Sequence, residues 1–209
     1  MALRTRAQTV RQDDEDFQSW NDVELTVAIT NRVDFVTKGT IRFAQNALRF
    51  DDGRYQFGFD WKAFKGFSVS PFYMYKRATN NSGFFRTEHR LDLLVSYRFP
   101  IKSFDLIHRS SFERRIRQPV SSWRYRAYLE IEKDKEIPKR ILPKATFFIR
   151  DQVLYDSSVG KLSRNRFSVG IKKTLTKQVS VDIHYMHQNE ADSHPGVINT
   201  IWTSWKVKL

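Results

Sequence analysis

The chain contains no cysteine in its 209 residues. That removes disulfide frameworks, thiol catalysis and cysteine-ligated zinc together, and it fits a bacterial envelope protein. Long apolar runs are missing as well: nothing approaches the roughly 20 consecutive apolar residues that a spanning helix needs. With 40% hydrophobic and 28% charged residues, a helical membrane protein is excluded. A membrane barrel is not, because its strands give only alternate positions to lipid. Met1 to Glu15 has no apolar run of the signal-peptide kind, so an exported form would be a mature chain with a replacement start Met. No glycine-rich phosphate cradle occurs, and Asp51-Asp52-Gly53 reads as a turn without the spacing of a calcium loop. No motif implies a metal or cofactor.

What the chain does have is alternation. Tyr55, Phe57, Phe59, Trp61 and Ala63 interleave with Arg54, Gln56, Gly58, Asp60 and Lys62. His89, Leu91, Leu93, Val95, Tyr97 and Phe99 interleave with Glu88, Arg90, Asp92, Leu94, Ser96 and Arg98. A side-chain period of two means strands with one apolar and one polar face. Runs of about 9–11 residues are what a tilted strand needs to cross a bilayer. Eleven spans follow: 17–29, 33–44, 54–63, 67–77, 86–99, 104–117, 121–132, 144–155, 164–173, 178–188 and 197–209. Bacterial single-chain barrels have even strand numbers, so the expected fold is a closed antiparallel all-β transmembrane barrel of 10–12 strands, twelve slightly favoured. Residues 1–16 read as a flexible polar arm and 17–209 as the barrel.

The connections alternate between tight ones (30–32, 64–66, 100–103, 174–177, with 134–142 longer) and more polar ones (45–53, 78–85, 156–163, 189–195). Gln118-Pro119-Val120 is a short exception among the latter. Short turns on one rim and longer loops on the other characterise outer-membrane barrels. Ile201, Thr203, Trp205, Val207 and Leu209 share one face up to an apolar terminus, similar to the signal read by the bacterial barrel-assembly machinery.

Apolar faces run through nearly every strand, and would overfill a soluble barrel of this size, although a two-sheet sandwich could hold them. Trp20, Trp61, Tyr75, Phe99, Trp123, Tyr155, Tyr185 and Trp205 fall near strand ends and are expected in aromatic girdles. Lysine and arginine (36) exceed aspartate and glutamate (23), but they recur along polar faces beside acids instead of forming one block. Arg90, Asp92, Arg109, Glu113, Arg115, Arg124, Arg126, Glu130, Arg150 and Arg166 are therefore expected in a lumen charge network. Such a lumen is either filled by paired side chains or a narrow pore whose guanidinium excess favours anions. In Trp123-Arg124-Tyr125-Arg126 the basic and aromatic residues fall on opposite faces, which argues against nucleic acid.

Enzyme readings are thin. His184 and His187 point to opposite faces and cannot form a simple metal pair. His184 shares a face with Asp182 and would neighbour Ser168, so a Ser–His–Asp lipid hydrolase or lipid-modifying enzyme is the competing class. A soluble β-sandwich that binds an acidic ligand is a third. Expected partners are outer-membrane lipid and lipopolysaccharide, with the assembly machinery during biogenesis, for a monomer.

The order of segments adds a resemblance. It rests on 16–25 (DFQSWNDVEL), Phe67-Ser68-Val69-Ser70-Pro71, Arg109, Phe112-Glu113-Arg114-Arg115, Trp123-Arg124-Tyr125-Arg126 and 163–170 (SRNRFSVG). Together these resemble the bacterial barrel family known as domain of unknown function 2490, over about residues 16–209. The resemblance implies an outer-membrane β-barrel of unassigned activity, with no catalytic residues to carry over.

Overall fold

The computed structural model describes residues 14–79, 83–135, 145–191 and 193–209. Eleven strands are present: β1 (Glu15–Ala28), β2 (Val33–Ala44), β3 (Arg49–Phe64), β4 (Phe67–Thr79), β5 (Phe85–Ile101), β6 (Phe104–Arg117), β7 (Ser122–Lys135), β8 (Ala145–Asp156), β9 (Lys161–Thr174), β10 (Val179–Glu190) and β11 (Val197–Lys208). Each pairs with its chain neighbour, and β1 pairs with β11, so a single sheet closes into a barrel with no free edge. Closure into one sheet sets the two-sheet sandwich aside.

Among the described residues the count is eleven, not the slightly favoured twelve. Ten of the eleven pairings are antiparallel. An odd number of alternating strands leaves the first and last pointing the same way, so the closing pair is parallel, from Glu15↔Val197 to Thr26↔Lys208. The expectation of a wholly antiparallel barrel is corrected at this seam. Backbone bonds lock its two ends: Val197 N–H donates to Asp14 O at 2.9 Å, and Leu209 N–H to Thr26 O at 2.9 Å. The chain therefore enters at one rim and leaves at the other. Most of the expected N-terminal arm lies outside the described residues, and β1 begins two residues earlier than 17.

Two tight connections use the same device. Thr30 Oγ1 accepts from Val33 N–H at 3.0 Å, and Thr176 Oγ1 accepts from Val179 N–H at 3.0 Å. In each, a Thr hydroxyl closes the turn before a β-branched residue restarts the ladder. The opposite rim is less loop-rich than expected. Asp51-Asp52-Gly53 is not a turn but part of β3, which begins at Arg49, leaving Gln45–Leu48 as the connection. The strand persists there because the Asp52 carboxylate points inward onto basic partners.

Faces alternate through the sheet. Phe57, Leu93, Phe112, Ile149, Ile183 and Ile201 point outward and are exposed, and similar large apolar side chains come from strands all around the barrel. Inward positions carry the charges. Two glycines make room inside. A Cβ on Gly58 would lie 2.6 Å from the Phe72 ring, and one on Gly170 would lie 2.8 Å from the Phe148 ring. In each case the missing side chain lets an aromatic ring cross the neighbouring strand.

Candidate functional site

The lumen has two halves. Toward the Gln45–Leu48 rim, long side chains fill it. Asp52 accepts from Arg54 Nε at 2.6 Å and from Lys76 Nζ at 2.9 Å. Glu88 accepts from Arg90 at 2.5 Å and from Arg115 at 2.7 Å. Asp156 takes Arg115 at 2.5 Å and Arg124 at 2.8 Å. Glu113 lies between Arg90 at 3.4 Å and Arg126 at 2.5 Å, and Arg126 also reaches Asp92 at 2.9 Å. Residues two apart on a strand share a face, so β5 to β8 bring these charges into cross-strand contact. Arg–carboxylate pairs of this kind are directional, and each becomes costly if one member is lost.

Toward the rim of tight turns the lumen opens into a cavity of about 520 Å³. Its wall runs from Thr26, Asp34, Ser68 and Lys208 near that rim down to Arg42, Arg54, Arg126 and Arg166 at the floor. On one side Glu130, fully buried, holds Arg150 at 2.5 Å and Lys172 at 2.7 Å. Arg109 lies over the Tyr128 ring at 5.0 Å. All ten residues named for the charge network thus point inward, seven of them buried and Arg109, Arg126 and Arg150 lining the cavity.

Trp20 is a correction. It was expected in a girdle, but it is only 2% exposed and lies inside. The Arg42 guanidinium stacks 3.3 Å from its ring centroid and that of Arg166 lies 5.3 Å away. Its indole N–H donates to Gln18 Oε1 at 2.8 Å, and its ring meets Trp202 edge-on at 4.9 Å. A Trp among inward charges serves as a platform for cations, and strand-end position alone could not reveal that. The signal available was parity with Gln18, Asp22 and Glu24. Trp61, Tyr75, Phe99, Trp123, Tyr155, Tyr185 and Trp205 do point outward, but Tyr185 sits halfway along β10 instead of at an end.

The Ser–His–Asp triple does not assemble. His184 Nδ1 is 3.2 Å from Asp182 Oδ1, yet its Nε2 is buried with no hydrogen-bond partner. The imidazole packs among the Phe148 and Trp202 rings, with centroids 5.5 and 5.1 Å away. Ser168 stands opposite Met186, and Gly170 stands opposite His184. The geometry gives the imidazole an orienting carboxylate but no nucleophile. Among the described residues, no group of three or more His, Asp and Glu side chains gathers as a metal site.

Outward apolar faces, a closed sheet and an ion-paired interior define a β-barrel with a charged, half-filled lumen. The chain belongs to the family described as Protein of unknown function (DUF2490), whose profile matches residues 17–199. Among solved structures, the siderophore receptor PirA from Pseudomonas aeruginosa is similar over 86% of this chain, at 11% identity and a TM-score of 0.31. The chain spans 35% of that receptor. No curated protein matches.

Proposed function

We propose that the protein is an integral outer-membrane β-barrel whose lumen is closed by its own paired side chains. The observation that carries this reading is the direction of the faces. Large apolar residues such as Val23, Leu91, Phe112 and Ile149 are exposed outside, while Glu88, Asp92, Glu113 and Glu130 are buried inside. Soluble monomers rarely expose a continuous apolar surface of this extent. The shortest strands have 12 residues, which at about 3.3 Å per residue and a tilt of roughly 40° rise about 30 Å, enough to cross a hydrocarbon core.

Aromatic clusters at the tight-turn rim add support. Phe64 stacks on Phe67 at 4.6 Å, and Tyr97 packs edge-on to Phe99 at 3.9 Å. In this reading the tight turns face the periplasm, as they do in outer-membrane barrels. Lipid and lipopolysaccharide contact the outer wall, the assembly machinery inserts the chain, and it acts as a monomer.

The paired charges around Glu88, Glu113 and Asp156 favour a filled barrel over an anion-favouring pore. Eight strands leave an interior just wide enough for side chains, whereas 16–18 leave a channel. Eleven strands with this many arginines belong nearer the first case. The test is electrophoretic mobility in detergent with and without heating. A folded barrel migrates differently from the boiled chain, whereas monodisperse behaviour without detergent and no heat shift would refute the membrane assignment.

A further inference from the structure

Most cations of the lumen have an acid at bonding distance. Two at the cavity floor do not. Arg42, 7% exposed, has Asp52 no closer than 4.0 Å, and its Nε is buried without a hydrogen-bond partner. Arg166, 8% exposed, donates to the neutral amides of Gln188 at 2.5 Å and Gln152 at 3.3 Å. Among the described residues no carboxylate forms an ion pair with it. The two guanidiniums lie 3.3 and 5.3 Å from the same Trp20 ring centroid, so two like charges are within about 9 Å of each other in a buried place. Burying like charges without a counter-charge is expensive, and a bound anion relieves it. Both residues line the cavity.

Above Arg42, toward the tight-turn rim, the wall formed by β2 to β5 is of a different character. Val36, Gly58 and Phe72 align in register across β2, β3 and β4, and Leu94 and Met74 flank them. An apolar row inside a charged lumen has no role in ion pairing. A 520 Å³ cavity lies in the size range of small-molecule sites.

We propose that this cavity binds a small amphiphilic organic anion, with its carboxylate or phosphate monoester against Arg42 and Arg166 and its apolar body along Phe72 and Leu94. The arrangement is complementary on both counts. The guanidinium fork matches a carboxylate or phosphate, and the Val36–Phe72 row covers the rest. This goes beyond the closed-scaffold reading, and binding in detergent is measured separately from conductance or membrane insertion.

The test is titration of the full chain, folded in a neutral alkyl maltoside, with phenyl phosphate, inorganic phosphate and phenol, followed by calorimetry and by tryptophan fluorescence. Phenyl phosphate should bind saturably, and each half of it alone should bind about ten-fold more weakly or worse. Arg42→Gln and Arg166→Gln should each weaken phenyl phosphate about ten-fold. Phe72→Ser should weaken phenyl phosphate but leave inorganic phosphate unchanged. Arg117→Gln, at the far rim and outside the cavity, should change nothing. Heat-dependent mobility verifies that each variant is folded, and if one Arg variant fails to fold, the other and Phe72→Ser carry the comparison. Absence of saturable binding, or undiminished binding to the folded Arg variants, overturns the proposal. Equal affinity for phenyl and inorganic phosphate overturns its apolar half.

Discussion

Glu130 shows what single charges do in this interior. It is 0% exposed and pairs with both Arg150 and Lys172, the latter also held by Glu132. Glu130→Gln keeps the shape but leaves Arg150 beside a neutral amide while Lys172 keeps Glu132, and should cost about 3 kcal/mol, the scale of breaking a buried pair. Arg98→Gln removes a cation that is 47% exposed and pairs with Asp105 at 2.7 Å and with Glu132 at 3.0 Å, and Glu132 retains Lys172, so it should cost less than about 1 kcal/mol. Denaturant unfolding in one detergent, followed by tryptophan fluorescence, compares them, and equal losses would contradict a low-dielectric lumen. Gly170 makes the steric version of the point. Gly170→Ala places a methyl against His184 and 2.8 Å from Phe148, and should destabilise by about 1–3 kcal/mol in the same assay.

At the scale of elements, the parallel seam is the weak place in the cylinder, since parallel pairs are slightly less stable per residue. Asp14 fastens its entry end. Its Oδ1 accepts from Gly196 N–H at 2.8 Å and contacts His194 Nδ1 at 3.0 Å. The Gly196 amide, followed by His194, holds the Asp14 carboxyl below its ordinary value. A depressed acid contributes stability that is full above the unfolded-state value near 3.9 and is lost as pH falls through the lower folded value. Hydrogen exchange should find the Gly196 amide protected at pH 6. Exchange relative to its intrinsic rate should rise in Asp14→Asn, and in the native protein only under acid below that range. Unchanged protection in Asp14→Asn would show the latch to be irrelevant. Elements of this kind were only partly legible in the sequence. Alternation located all eleven strands because outward apolar positions recur at every second residue through most of each strand, Phe57, Leu93, Ile149 and Ile201 among them. Closure was expected from the extent of the apolar faces, but the parallel seam was not, because β1 and β11 pair over a separation that no local pattern records. Alternation also misplaced the start of β3, since Asp51-Asp52-Gly53 has turn composition, and what keeps it extended is pairing with β2 and β4 together with the contacts of Asp52 to Arg54 and Lys76. In the same way the charged face announced a paired lumen, while the contacts of Trp20 with Arg42 on the neighbouring strand and with Arg166 three strands away depended on the register of the closed sheet.

For the whole molecule, the question is whether ions cross. The half of the lumen toward the Gln45–Leu48 rim holds Glu88, Arg115, Arg124 and Asp156 in mutual contact, and all four are buried. In a filled barrel, the intact protein inserted in a planar bilayer carries no steady current. Replacing all four residues by alanine removes two acids and two bases together, so the net charge is unchanged; Arg90 loses Glu88 but keeps Glu113 at 3.4 Å, and the closed sheet is retained. The deletion joins the vacated volume to the cavity that opens at the other rim, and water follows where polar walls remain. The variant should therefore show discrete conductance steps. Because Arg42, Arg109 and Arg166 stay along the path, the current should favour anions, reversing toward the chloride potential in a salt gradient. Steady current through the intact protein would instead mean that the paired side chains leave a continuous path, and the barrel would be a pore.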